Sequence, residues 1–317
     1  MSSRLSSHID APPPSSPALQ VAISGASGLI GKALTRLLTD GGHLVFPLVR
    51  RAPNPGSGEI QWSPEKGLSD PGALEGLDAV VHLAGESIAS GRWNAQRKQR
   101  IHDSRVVGTR TLAQALAGLG KPPAVFVCAS AVGVYGNQED MTLTEASPPG
   151  SGFLAEVTRA WEAACDPAVQ AGIRTVHLRT GMVLSTSGGA LGKMLLPFRL
   201  GLGGPVGHGR QYMSWIHLED LLAAIVFILQ TASLQGPVNG TAPNPVTSRQ
   251  FATSLGAALG RPAFLPLPAL AVRLLFGEMG RELLLSGQRV LPAALTSAGF
   301  QFSHPVLPAA LAHLLAR

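Results

Sequence analysis

The stretch Val21-Ala22-Ile23-Ser24-Gly25-Ala26-Ser27-Gly28-Leu29-Ile30-Gly31 decides the fold. Val21 to Ile23 is a short apolar strand that runs into a glycine-rich turn. A helix leaves the turn, with Leu29, Ile30, Ala33, Leu34, Leu37 and Leu38 on one apolar stripe. Gly25 permits the tight turn, Gly28 lets backbone N–H groups approach an anion, and Gly31 lets the helix pack closely on the strand. The helix start adds a partial positive charge suited to a pyrophosphate. The helix stops at Asp40-Gly41-Gly42, and His43 to Val49 reads as a second strand.

Composition sets bounds on the rest. The chain has 317 residues and 45% hydrophobic content, enough for one large domain or a domain with a smaller partner. The longest apolar run, Leu221 to Leu229, is too short to span a bilayer, so no membrane association is expected. Met1 to Pro17 is rich in Ser and Pro without an apolar segment, and residues 1–18 read as a disordered tail rather than a signal peptide. Two cysteines, Cys128 and Cys165, lack metal spacing and fit a reducing, cytoplasmic setting; no metal is expected. The net charge is +6 with only 14% charged residues. No nucleic-acid motif accompanies it, so the basic balance points to a pocket for an anionic small molecule. A homodimer stays open.

Strands and helices then alternate, which predicts a doubly wound parallel α/β sheet covered on both faces. Further strands are expected at Gly58–Trp62, Ala79–Leu83, Ala124–Ser130 and Thr175–Arg179, with helices at about Ala95–Leu119 and Phe153–Gln170. Ser185 to Gly209 is glycine-rich around Met194-Leu195-Leu196-Pro197-Phe198 and reads as a loop that closes over a ligand. Tyr212 to Ile216 is expected to return to the sheet, followed by a helix at Glu219–Gln230. Thr247-Ser248-Arg249-Gln250 reads as a capping box. The division expected is a cofactor domain over 19–184 with 212–240, and a small, mostly helical substrate-side domain over 185–211 and 241–317.

Several segments resemble the extended short-chain dehydrogenases/reductases: Ser24 to Gly31, Leu83-Ala84-Gly85, Arg105-Val106-Val107-Gly108-Thr109 (with Arg where that family has Asn) and Trp215 to Leu221. Glu86-Ser87-Ile88, Arg92-Trp93-Asn94, Gly192 to Pro205 and Gly287 to Pro292 narrow the resemblance to the "epimerase family" subgroup, from about Leu19 to the C-terminus. The resemblance implies a Rossmann domain that binds NADP. It implies cofactor contacts from Gly25, Ser27, Gly28, Leu29, Ile30, Gly31, Leu83, Ala84, Gly85, Arg105, Thr180 and Gly181. The second strand ends Leu48-Val49-Arg50-Arg51 with no carboxylate, so Arg50 and Arg51 favour a 2′-phosphate, and NADP over NAD.

Members of the wider superfamily use Ser or Thr with Tyr-x-x-x-Lys, in which the Lys lowers the Tyr pKa. Only Tyr135 and Tyr212 are present, and neither has Lys four residues on. Phe153 opens the helix expected to carry the pair. Ser130 and Tyr135 remain as catalytic candidates, with Tyr135 in a loop facing the nicotinamide and titrating near the ordinary value of about 10. Arg92, Lys193 and Arg210 are candidate contacts to an anionic substrate. His82, His217, Glu219 and Asp220 read as structural. Two functions follow: an NADP-dependent oxidoreductase or epimerase, or an NADPH-binding sensor without turnover.

Overall fold

The structure is a computed structural model and describes residues 17–316. The expected tail over residues 1–18 therefore lies almost wholly outside the described residues. The strands are β1 (Gln20–Ser24), β2 (Leu44–Val49), β3 (Ile60–Ser63), β4 (Gly67–Leu68), β5 (Ala79–His82), β6 (Val125–Ala131), β7 (Thr142–Leu143), β8 (Arg174–Thr180), β9 (Met182–Leu184), β10 (Tyr212–Met213), β11 (Trp215–His217), β12 (Gly236–Gly240), β13 (Val246–Thr247) and β14 (Arg289–Val290). The helices are α1 (Leu29–Asp40), α2 (Ala95–Ala117), α3 (Phe153–Ala163), α4 (Asp166–Gln170), α5 (Gly189–Arg199), α6 (Leu218–Gln230), α7 (Ser248–Leu259), α8 (Ala269–Gly280), α9 (Ala293–Ser297) and α10 (Leu307–Leu315).

Within these residues the main sheet has eight strands in the order β12-β8-β6-β5-β1-β2-β3-β4. Every pairing is parallel except β3 with β4. Successive side chains alternate between its faces. Val21, Ile23, Val81, Val127 and Leu178 enter one core with Leu34, Leu38 of α1 and Leu221, Ile225 of α6. Ala22, Val80, Phe126 and Cys128 enter the other with Leu112, Leu116 of α2 and Trp161 of α3. Each fully buried leucine contributes about 1.5–3 kcal/mol, so α1 is held by its stripe more than by its own backbone bonds. A third cluster joins Leu191, Leu195 and Phe198 of α5 to Phe251, Leu255 of α7 and Leu311 of α10. The doubly wound α/β class is the one expected.

Three local readings need correction. The expected helix over Phe153–Gln170 is broken into α3 and α4 around Cys165; Pro167, in the first turn of α4, has no N–H to continue the ladder. The segment Tyr212–Ile216 does not rejoin the main sheet: β10 pairs with β13, and β11 pairs with β9. The outer strand is instead β12, Gly236-Pro237-Val238-Asn239-Gly240, beside β8. Finally, residues 185–209, expected as a loop that closes over a ligand, contain a helix. Gly188 (φ +159°) and Gly189 (φ +71°) turn the chain into α5, whose apolar side is buried. The capping box at α7 is present, with Gln250 Oε1 accepting from Thr247 N at 2.8 Å and Thr247 Oγ1 from Gln250 N at 3.3 Å. No helix among the described residues is long and apolar enough to cross a membrane.

Candidate functional site

The glycine turn sits at the C-terminal end of β1, against the chain leaving β5. A Cβ on Gly25 would lie 2.8 Å from the Leu83 carbonyl carbon, and one on Gly31 2.2 Å from Gly25 O. No side chain fits at either position. Gly28 caps α1 with no side-chain acceptor, and the first turn holds no acidic residue. The first N–H groups of a 12-residue helix thus start with no side-chain cap and no carboxylate in the helix's own first turn. Beneath the turn, Ser24 Oγ accepts from Leu83 N at 3.1 Å and Ala84 N at 3.3 Å, and bonds His82 Nδ1 at 2.6 Å. Burial holds the His82 pKa down at about 4, so its imidazole is neutral. These bonds lock Leu83-Ala84-Gly85 onto the turn.

A cavity of about 310 Å³ opens here. Gly25, Gly28, Leu29, Ile30, Gly31, Leu83 and Thr180 line it, together with Ala129, Leu178, Met182 and Val183. Ser27 is exposed at the turn. Gly181 does not line the cavity; a Cβ there would lie 2.4 Å from Ser214 O, so it serves close packing. Arg105 lies beside Gly85 and over the Trp161 ring, at 5.0 Å, and donates to Ile101 O at 3.1 Å. Burial lowers its pKa to about 10, which leaves it charged at neutral pH. At the end of β2, Arg50 is exposed, whereas Arg51 forms a two-pronged pair with Glu59 at 2.9 and 2.5 Å.

The catalytic candidates fall elsewhere. On β6, Ala129 lines the cavity, so Ser130, one residue on, projects to the opposite face. There Ser130 Oγ donates to Glu162 Oε1 at 2.6 Å. On β8 the same alternation puts Leu178 and Thr180 in the cavity and Arg179 behind it. Arg179 grips Glu162 through Nε and Nη2, both at 2.8 Å, and donates from Nη1 to Tyr135 Oη at 3.0 Å. Tyr135 Oη donates onward to Asn239 Oδ1 at 2.8 Å, and Asn239 Nδ2 to Leu291 O at 2.9 Å.

Tyr135 is 0% exposed. Burial pushes its pKa above the usual value despite the nearby Arg179. The expectation that Tyr135 faces a nicotinamide with a pKa near 10 is therefore corrected: the phenol is sealed in a buried network. Burial alone would raise the Glu162 pKa, but its bonds from Arg179 and Ser130 hold it below the usual carboxylate range. Nothing in the sequence advertised Glu162, Arg179 or Asn239. Strand alternation at Ala129-Ser130 was the available signal.

The substrate candidates are not brought together, and none of the three lines the first cavity. Arg92, in the loop leading to α2, packs beside Gly277 of α8, and Lys193 donates to Ala89 O of the same loop at 3.2 Å. Arg210 is exposed on a separate loop beside His208. A second cavity, about 460 Å³, is lined by Trp93, Asn94, Lys98, His102, Phe153 and Glu278, among others. Phe153 packs edge-on against Trp93, with ring centres 5.0 Å apart, and Lys98 lies 4.6 Å above its ring while pairing with Glu278 at 2.9 Å.

A parallel sheet in this order, with a glycine turn after its central strand and a short helical C-terminal region, defines a Rossmann-type extended short-chain dehydrogenase/reductase. Residues 21–239 match the NAD dependent epimerase/dehydratase family, to which the chain belongs. Residues 267–314 match a domain of unknown function, DUF1731. The chain is 49% identical to epimerase family protein Mb2239 of Mycobacterium bovis, over 94% of this chain and 98% of that one. It is 41% identical to human epimerase family protein SDR39U1, over 94% of this chain and 100% of that one. A crystal structure of human SDR39U1 (isoform 2) with NADPH superposes with a TM-score of 0.85 and 39% identity, covering 94% of this chain and 100% of that one.

Proposed function

We propose that the chain binds NADP(H) in the cleft between the glycine turn and Leu83–Gly85, and acts as an oxidoreductase or epimerase on a small anionic molecule. One observation carries this reading: an uncapped, acid-free helix start lies in the cleft while β2 ends at an exposed Arg50 with no carboxylate. The human relative's structure with NADPH supports it. When bound, the cofactor supplies or takes up a hydride. The N–H groups at the start of α1 receive its pyrophosphate, Arg50 its 2′-phosphate, and Arg105 adds positive charge beside Gly85. Arg92 and Lys98, near the second cavity, supply charge for an anionic substrate.

Proton transfer is the unusual part. Thr180 carries the one side-chain hydroxyl among the residues lining the first cavity, and that hydroxyl donates to Leu178 O at 3.2 Å. With Ser130 and Tyr135 on the far face, neither would reach a carbonyl oxygen in the first cavity, and the titratable side chains nearest a substrate would be Lys98, His102 and Glu278 of the second. The same arrangement favours a second reading, an NADPH-binding protein without turnover.

Calorimetry with NADPH and NADH tests the binding. NADPH is expected to bind more tightly, and Arg50→Glu to remove most of a preference worth about 1.5–3 kcal/mol. Equal affinities for the two cofactors in the unaltered protein refute the NADP reading. A panel of carbonyl compounds with and without carboxylate or phosphate groups tests the chemistry. Turnover confined to anionic members supports the enzyme, and NADPH binding with no turnover across the panel supports the silent binder.

A further inference from the structure

At the end of β11 and the start of α6, three imidazoles and a carboxylate converge. Glu219 Oε2 lies 3.1 Å from His304 Nε2, 3.5 Å from His313 Nε2 and 3.9 Å from His217 Nδ1. The rings crowd together, with centres 3.9 Å (His217–His304), 4.6 Å (His304–His313) and 5.5 Å (His217–His313) apart. One donor atom from each of the four residues falls within a span of 4.8 Å. His313 Nε2 is buried and makes no hydrogen bond.

We propose that His217, Glu219, His304 and His313 bind one divalent transition metal ion of the zinc type. Tetrahedral zinc with bonds of 2.0–2.1 Å holds neighbouring donors about 3.4 Å apart, close to the separations around Glu219 Oε2. Imidazole and carboxylate donors without thiolate suit Zn²⁺ or Co²⁺, whereas Mg²⁺ and Ca²⁺ take oxygen. The set is held in place from behind. Asp220 accepts Ser303 N at 2.8 Å and His304 N at 2.9 Å, fixing the backbone that carries His304. His217 Nδ1 accepts Glu219 N at 3.1 Å, so its metal bond forms at Nε2 or displaces that cap. His304 is 85 residues beyond Glu219, so no local spacing motif records the site. Two donors come from the sheet domain and two from the loop and helix α10 that end the chain, so the ion ties the C-terminal helix to α6.

Untagged protein, stripped with a chelator and titrated with Zn²⁺, is expected to bind one ion per chain. Co²⁺ is expected to give the visible absorption of a tetrahedral site. His304→Ala and His313→Ala are each expected to weaken Zn²⁺ binding by about 100-fold or more, while His208→Ala, on an exposed loop, leaves it unchanged. Should either variant fail to fold, the unaltered protein still decides: its Tm rises with Zn²⁺ but not Mg²⁺, and a chelator reverses the rise. No Zn²⁺ binding, binding that survives both substitutions, or a Tm indifferent to Zn²⁺ overturns the proposal.

Discussion

Replacing Tyr135 with Phe separates the buried-network account of this residue from a catalytic one. The substitution keeps the ring, which fills its site at 0% exposure and lies 5.2 Å from the Arg179 guanidinium. It deletes two hydrogen bonds, one to Asn239 Oδ1 at 2.8 Å and one from Arg179 Nη1 at 3.0 Å. Arg179 retains both contacts to Glu162, and Asn239 Nδ2 retains Leu291 O. A neutral bond is worth about 1 kcal/mol, one to a charged group about 1.5–3 kcal/mol, and a stranded buried acceptor adds to the loss. The expected cost is about 2–4 kcal/mol, a Tm lower by several degrees. NADPH affinity should stay at the parent value. Urea unfolding of Tyr135→Phe, Asn239→Leu and the double variant measures the coupling, and the double variant should cost less than the sum. Unchanged stability with turnover reduced about 10²-fold or more would refute the buried-network account and return the phenol to the cleft.

Other outcomes follow from the same geometry. Gly31→Ala drives a Cβ to 2.2 Å from Gly25 O, so both Tm and NADPH affinity should fall, as read by thermal melting and fluorescence titration. Glu162→Gln leaves Arg179 buried without its carboxylate; about 3 kcal/mol of stability should be lost in urea unfolding with cofactor affinity unchanged. His82 is pushed from 6.5 down to about 4 by burial, so the unfolded chain takes up its proton first. Stability from this group is full above about pH 6.5 and is lost as pH falls toward 4, by about 3 kcal/mol. Denaturant midpoints against pH should show that slope, and His82→Leu should flatten it.

The sequence was most informative where one residue type had one physical task. The glycine turn, the apolar stripe of α1 and the buried runs at β5, β6 and β8 are legible because periodicity and punctuation agree there. β12 was missed because Gly236, Pro237, Asn239 and Gly240 are poor strand formers. An edge position beside β8 accommodates them, and Pro is tolerated at an edge. Residues 185–209 read as a loop because their glycines cluster, yet two of those glycines turn the chain into α5. Ser130 and Tyr135 were assigned from their place along the chain, but it is the direction of each side chain that decides its chemistry. The partners that make the far face polar, Glu162, Arg179 and Asn239, come from three separate elements. The histidines around Glu219 are likewise brought together only by the fold.

The hydrogen bonds around Asn239 bear on how this molecule can move. Glu145 Oε1 accepts from both Asn239 N at 2.9 Å and Ala294 N at 3.1 Å. Ser214 Oγ donates to Gln288 O at 2.7 Å and accepts from Val290 N at 2.9 Å. Leu291 N donates to Leu143 O at 2.8 Å. Residues 288–294 are thereby sewn to the end of the sheet and behave mechanically as part of it. A hinge motion of the C-terminal region as a separate jaw would have to break all of these bonds together. The irregular backbone lies instead in α8, where Gly277 (φ +60°) kinks the helix and a π-turn over Arg281–Leu285 follows. That kink already packs beside Arg92, which joins α8 to the loop leading into α2.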